Sequence, residues 1–330
     1  IAVEAGRAAF ESVWNVKLPM TAGLDQLQMM DAARDGKLKA LWTIGYDVFL
    51  SNANSHETER SLGNLDFMIV QDLFLNETAK SFANVFLPAA SSFEKDGTFM
   101  NAERRIQRIR KAIEPRGDSR SDLEIICGLA GAMGYSEHFS FGTSKDVWDE
   151  IRNVWPGGSG ISYDRIDRSG IQWPCPDIGH PGTEILHADE FSIGKTASLR
   201  RIKYRPTKEA VNDQFPFLLT TGRTLHQFNA GTMTMRTPNV ELRPTDLLMI
   251  SPDDAELYGI EDGDPVRLVS AYGQAELPAE ITTAVKNGQL FATFHDARIF
   301  LNRITSPVRD RFTHAPEFKV TSVRIEKTQS

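Results

Sequence analysis

Four groups of side chains have the types and spacing to hold a polar ligand. The first follows two apolar runs. Asp47 and Ser51 come after Leu38–Ile44, and Gln71-Asp72 come after Leu65–Val70. A carboxylate at a strand end can accept paired hydrogen bonds from a guanine's N1 and 2-amino groups or from a ribose diol, and a Gln beside it adds both a donor and an acceptor. The plain alternative is solvated loop acids. The second group is Glu103, Arg104, Arg105 and Gln107, within the glycine-bearing stretch Gly97–Gln107. On a strand, Glu103, Arg105 and Gln107 share one face, and Arg can clamp phosphate or carboxylate with two parallel bonds. A salt-bridged surface ribbon would use the same residues. The third is the stretch from Thr220 to Thr234, with Arg223, His226, Gln227, Asn229 and Thr232 between Gly222 and Gly231. Amides and hydroxyls around glycine suit a pyrophosphate or a heterocycle edge. The fourth is Thr293-Phe294-His295, Asn302 and Pro316-Glu317-Phe318-Lys319, where aromatic rings can flank a planar heterocycle and an amide can match its edge; a final strand with a packed tail is the other reading. Asp122 stands apart, because a position in a helix's first turn already explains it.

The elements that position these groups change character along the chain. Over residues 1–145 helical and strand patterns alternate. Leu24–Gly36 predicts a helix, Leu38–Ile44 a buried strand, Ser55–Leu62 an exposed helix and Leu65–Val70 a strand. Asn76–Phe82 predicts a short helix capped by Asn76, and Ala83–Pro88 a third strand. Short connections of this kind imply a parallel sheet covered by helices, with ligands beyond the carboxyl ends of its strands. Ser121–Met133 and Ser144–Val154 predict two further helices. Residues 157–214 show little periodicity and read as an irregular connector, so 146–214 is a helix plus connector. From 215 to 330 short strands dominate, at Phe217–Thr220, Leu247–Ile250, Pro265–Ser270, Ala275–Glu280 and Gln289–Phe294. One helix, Pro252–Tyr258, interrupts them. The fold class is α/β: a parallel-sheet domain followed by a compact, mostly-β domain, expected to be a closed barrel.

The chain has 330 residues, enough for two cores, and a net charge of −7. That balance argues against a nucleic-acid partner, which needs clustered Lys and Arg. The two cysteines, Cys127 and Cys175, cannot build a disulfide framework or a four-cysteine metal site. Cys127 sits in an apolar run and is expected to be buried. No apolar run of roughly 18 residues predicts a membrane span. No signal peptide is visible, which favours the cytoplasm. The chain starts at Ile1 without an initiator Met, so a missing N-terminal region is expected and the periplasm stays open. No P-loop, zinc pattern, Gly-x-Ser-x-Gly or dinucleotide Gly-x-Gly-x-x-Gly occurs. The chain reads as the holder of a large cofactor, without a catalytic device of its own.

In order and spacing, several segments resemble the molybdopterin guanine dinucleotide oxidoreductases. They are Trp42–Asp47, Val70-Gln71-Asp72, Asn84–Pro88, Gly97–Gln107, Glu114-Pro115, Gln172–Cys175, the 220–234 loop, Asn302 and Pro316–Lys319. Within that superfamily, Gln172-Trp173-Pro174 with Gly97–Gln107 is most similar to the C-terminal part of formate dehydrogenase catalytic subunits. The resemblance implies a molybdopterin oxidoreductase domain followed by a six-stranded double-psi barrel. It implies a bis-molybdopterin guanine dinucleotide cofactor with molybdenum or tungsten, and two-electron oxidation of formate to carbon dioxide. Asp47, Ser51, Gln71, Asp72 and Asp122 would bind one guanine dinucleotide arm. Arg223, His226, Gln227, Asn229, Thr232, Phe294, Asn302, Phe318 and Lys319 would line the other pterin. Gln227-Phe228-Asn229 stand where the family often has His-Trp-His, which alters single hydrogen bonds in the loop. The family's metal-ligating Cys or selenocysteine and its N-terminal iron–sulfur cysteine group are not recognisable here, and no residue is assigned a catalytic or metal-binding role. The implied partners are the rest of the same subunit, iron–sulfur or flavin electron-transfer subunits, and formate. An assimilatory nitrate reductase, or a structural relative such as the large iron–sulfur subunit of complex I, would share much of this pattern.

Overall fold

The computed structural model describes residues 4–328. In chain order its α-helices are α1 (Glu4–Trp14), α2 (Gln26–Arg34), α3 (Val48–Ser51), α4 (Ser55–Gly63), α5 (Glu77–Phe82), α6 (Asp122–Ala132), α7 (Ser144–Val154), α8 (Asn239–Leu242) and α9 (Pro252–Tyr258). Its strands are β1 (Ala40–Ile44), β2 (Phe67–Asp72), β3 (Val85–Pro88), β4 (Gly97–Met100), β5 (Arg105–Ile109), β6 (Ile171–Gln172), β7 (Phe217–Gly222), β8 (Leu248–Ile250), β9 (Pro265–Ser270), β10 (Gln274–Ile281), β11 (Gln289–Thr293) and β12 (Thr321–Lys327). They gather into two compact units. One joins Ile1–Gly23 to Leu87–Lys203, and the other joins Leu24–Phe86 to Tyr204–Ser330.

In the first unit, β5 pairs antiparallel with both β4 and β6. Its core is Ile106, Trp148, Ile161, Tyr163, Ile166 and Cys175. The Trp148 indole N–H is satisfied by the Ile161 carbonyl at 2.6 Å, as a buried indole requires. Helices α6 and α7 each begin with a reciprocal capping box, Ser121 with Glu124 and Thr143 with Asp146. Cys127 is only half-buried, because α6 buries little more than Ala130. Arg104 and Arg105 serve the connector. Arg104 donates to the carbonyls of Trp173, Thr183 and Glu184, and Arg105 to the Gly170 carbonyl and the Gln172 side chain. These guanidiniums tie the irregular segment to the start of β5.

In the second unit, β1 pairs in parallel with β2, and β3 completes the sheet beside β2. The expected parallel sheet is present, with two corrections. Strand β1 is not buried: only Thr43 is, because β1 is an edge strand. Helix α4 is not simply exposed: Leu62 is buried, and so are Ser55, Thr58 and Ser61, small side chains on a helix that packs against α2. Strand β2 runs on through Gln71 and Asp72, so those residues end the strand instead of following it.

The second unit also contains a closed barrel with strand order β10-β8-β11-β7-β12-β9. Parallel and antiparallel pairs mix: β7 lies parallel to β11 and antiparallel to β12. Its core includes Phe217, Leu219, Leu248, Ile250, Leu268, Leu277, Leu290 and Val323, all 3% exposed or less. The sixth strand, β12, and the short α8 have no counterpart among the sequence-predicted elements. The predicted helix at Pro252–Tyr258 is present, with Ser251 as its cap and Gly259 at φ +62° stopping it.

Candidate functional site

The sheet-end residues are held by their own chain. Asp47 caps α3 and also receives the start of α5. It accepts from Leu50 N at 3.3 Å, Glu77 N at 3.1 Å, Thr78 N at 3.1 Å and the Thr78 hydroxyl at 2.6 Å. It is 5% exposed. A buried carboxylate needs such donors, and two helix starts need an acceptor. Asp72 accepts from Leu73 N and from the Asn76 amide at 2.9 Å. Burial raises its carboxyl above the usual aspartate range, against the pull of the Leu73 and Phe74 amides and Asn76; the nearby Asp47 charge adds to the rise. Gln71, the residue before Asp72 in β2, is fully buried. Ser51 ends α3, and its carbonyl lies 3.4 Å from the Asn302 amide nitrogen.

The barrel supplies the rest. At the end of β7 the Phe318 carbonyl accepts from the Thr221 hydroxyl at 2.7 Å, and the Lys319 ammonium donates to the Thr221 carbonyl at 2.5 Å. This brings Phe318 and Lys319 to the start of the loop that carries Arg223. Within that loop, Arg223 donates to the Asn229 side chain at 3.2 Å and lies 5.9 Å from the Phe228 ring centroid. Asn229 is held at φ +51°, a left-handed conformation that Asn tolerates better than most residues. His226 is half-buried, and its backbone N–H bonds to the Thr224 hydroxyl. Gln227 is 3% exposed and donates to the Asn239 and Arg243 carbonyls, while its side-chain oxygen has no protein partner. Asn302 repeats the pattern. It donates to the Leu50 carbonyl at 2.9 Å, and its oxygen is buried and unpartnered. Phe294 packs against both the barrel core and the sheet-side core.

Residues from the sheet and the barrel share one cleft, of about 130 Å³. Asp47, Asn76, Gly231, Thr232, Arg236 and His295 are in its wall. Gly231 sits at φ +72°, and a Cβ there would lie 2.7 Å from the His295 carbonyl oxygen, so only glycine fits without displacement. A larger depression of about 290 Å³ includes Tyr46, Asn52, His314 and Phe318. Asp122 belongs to the first unit, in the opening turn of α6, where its carboxylate pairs with Lys95.

Sequence reasoning missed Asp246 and Arg236. Asp246 is fully buried and accepts from the Thr293 hydroxyl, from His295 N and from Asp296 N at 2.7–3.0 Å, and its carboxylate lies 2.9 Å from His295 Nδ1. The only signal in the sequence is an acid directly before the apolar run of β8. Cys175 is buried, with its sulfur 3.3 Å from the His180 carbonyl. No group of three or more His, Cys, Asp or Glu side chains converges among the described residues.

Family models agree with this architecture. Residues 3–132 match the Molybdopterin oxidoreductase model, and residues 217–322 match the Molydopterin dinucleotide binding domain. The F420-dependent formate dehydrogenase subunit alpha of Methanocaldococcus jannaschii is 41% identical over 98% of this chain and 48% of its own length. The F420-dependent formate dehydrogenase 1 subunit alpha of Methanococcus maripaludis is 36% identical over 99% of this chain and 48% of its own. In fold, the acetylene hydratase of Pelobacter acetylenicus superposes with a TM-score of 0.71 at 16% identity, covering 98% of this chain and 50% of that one. The chain spans about half the length of the curated relatives it matches. With both domain models matched in order and this identity along nearly its whole length, the chain belongs to the molybdopterin oxidoreductase family.

Proposed function

We propose that this chain is part of a formate dehydrogenase catalytic subunit and holds a bis-molybdopterin guanine dinucleotide. The observation that carries the reading is the 41% identity to a formate dehydrogenase alpha subunit, sustained across sheet, connector and barrel. The cofactor, with molybdenum or tungsten, supplies the two-electron redox chemistry when bound.

The residues present fit such a group. Guanine and pterin rings both offer N–H donors along one edge. The Asn302 and Gln227 side-chain oxygens are buried acceptors without a protein partner, and leaving such atoms unmet costs stability. Asn302 is oriented by its bonds to the α3 carbonyls, and Gln227 by its bonds to the Asn239 and Arg243 carbonyls. Arg223 and Lys319, both exposed at the end of β7, supply cations for phosphate. Phe294 and Phe318 are half-buried and offer ring faces. Asp47, Ser51, Gln71 and Asp72 are the second unit's set proposed for one guanine dinucleotide arm, and His226, Asn229 and Thr232 on the loop are proposed to line the other pterin; Asp122, in the first unit, is paired with Lys95. Asp47 acts mainly by fixing the backbone, since four of its chain's own donors already use its carboxylate. In this reading the electrons leave through iron–sulfur or flavin partners, and the proposed site is cytoplasmic.

The test is formate-dependent reduction of a dye by the complete native polypeptide, purified with its metal and pterin content measured. Turnover with formate, and none with nitrate, is expected. A fully loaded, correctly assembled enzyme that ignores formate would end this reading.

A further inference from the structure

His295 stands out among the buried polar groups of the second unit. It is 3% exposed and in the wall of the cleft beside Gly231 and Thr232. Asp246, itself fully buried, lies 2.9 Å from its Nδ1 and already accepts three other hydrogen bonds. An acceptor carboxylate at that distance puts a proton on Nδ1 and fixes the ring plane. In the neutral ring this leaves Nε2 as an acceptor. Nε2 is buried and has no partner in the protein. The same strand end thus carries a fully committed nitrogen and a fully idle one, on a ring that cannot turn over without losing Asp246.

We propose that His295 is a ligand-binding residue, with Nε2 accepting a hydrogen bond from the N–H-bearing edge of a 2-aminopyrimidinone ring. Guanine and pterin share that edge. The inference rests on the proposed cofactor reading and adds to it a residue that fixes the ring's orientation through Asp246. The other charged groups facing the cleft are already engaged. Asp47 has its four donors, Asp296 pairs with Arg298 at 2.7 Å, Glu77 pairs with Lys80, and Arg236 bonds to the Thr232 carbonyl. Among the ionisable side chains of the residues lining the cleft, His295 alone keeps a buried nitrogen without a protein partner, Nε2, which a ligand can complete.

Two near-isosteric variants separate a ligand contact from a structural clamp. His295→Asn keeps a donor near the Nδ1 position for Asp246 and deletes the Nε2 end. His295→Gln places a polar atom near the Nε2 position and gives up the Asp246 bond. Both are made in the complete native polypeptide. Circular dichroism and melting confirm the fold, and pterin and guanine nucleotide retained per chain are measured together with GDP binding to cofactor-free protein. The proposal expects His295→Asn to lose about tenfold in retention or GDP affinity relative to His295→Gln, the loss of one buried hydrogen bond. A gap seen with GDP assigns the contact to guanine, and a gap seen only in pterin retention assigns it to the pterin. Equal values for the two variants, or better retention by His295→Asn, overturn the proposal and leave His295 as a clamp for Asp246. Wild-type protein without pterin or guanine would instead sink the cofactor reading itself, so the two failures are distinguishable.

Discussion

At the residue scale, the structure shows how much of an apparent ligand site is needed by the fold. Asp47 and Asp72 look alike in sequence, each an acid at the end of a strand. Their surroundings differ. Asp47 is met by three backbone N–H groups and a hydroxyl. Asp72 has fewer donors than its burial demands, so its carboxyl is pushed upward. The sign of the consequence is fixed by linkage. A carboxyl whose folded-state pKa is raised binds more protons in the folded state than in the unfolded one across the interval between the two values. Stability from this group is therefore present below the unfolded aspartate value of about 3.9 and is lost as pH rises toward the raised value. Asp72→Asn removes the titration. The stability of wild type minus that of the variant, from urea unfolding at a series of pH values, should fall as pH rises above about 4 and then level off. A difference that is flat, or grows with pH, would show that burial does not raise the Asp72 carboxyl.

At the element scale, sequence revealed what is local and hid what is long-range. Helix α7 was legible at both ends because Thr143 and Asp146 cap each other within one turn and Val154 precedes Pro156. Strand β12 was not. Its buried positions include Thr321 and Ser322, so its apolar signal is confined to Val323 and Ile325, and its partners are β7 and β9, far away in the chain. The roles of Arg104 and Arg105 were hidden for the same reason, since the carbonyls they bond lie 65 to 80 residues downstream. The candidate loop was legible as a loop because Gly222 and Gly231 bracket its polar side chains. What sequence could not show is that Gly231 is wedged against His295. Gly231→Ala should force the turn to shift. It faces the cost of a left-handed backbone, about 1 kcal/mol, and a contact of 2.7 Å with the His295 carbonyl. The chain should lose at least that much stability in a urea titration. In the complete polypeptide, retained pterin should fall with it. Gly259→Ala is the control. It shares the positive φ, at +62°, with open space around its Cβ, and it lies outside the loop. Comparable pterin loss in both variants would mean that the 231 turn has no special part in holding the cofactor.

At the scale of the whole chain, the second unit is discontinuous. Its sheet-side core draws Met30, Val48, Phe49, Leu50, Met68 and Val70 from before residue 87, and Ala230 and Phe300 from after residue 204. The two stretches are also joined by Arg309 to Asp31 at 2.8 Å, by Asn302 to the α3 carbonyls, and by the Thr305 hydroxyl to Asn54 N at 3.0 Å. Between them in sequence runs an irregular, exposed stretch in which Leu199 is fully exposed and Ile202 and Tyr204 nearly so, interspersed with Arg200, Arg201, Lys203 and Arg205. Such backbone fits a protease cleft. Brief trypsin treatment of the 330-residue chain should therefore cut within 195–205 before it cuts either the barrel or the helices. The cut falls between two halves of one core, so it should not release them. The apolar cluster and the buried bonds across it hold the pieces together, at a cost limited to the lost tether, since the fragments keep these contacts. Denaturing electrophoresis should show two bands while native gel filtration shows one peak at the mass of the intact chain. Two native peaks would mean that the contacts between Leu24–Phe86 and the barrel are too weak to join them without the covalent link, and that the barrel stands as a module on its own.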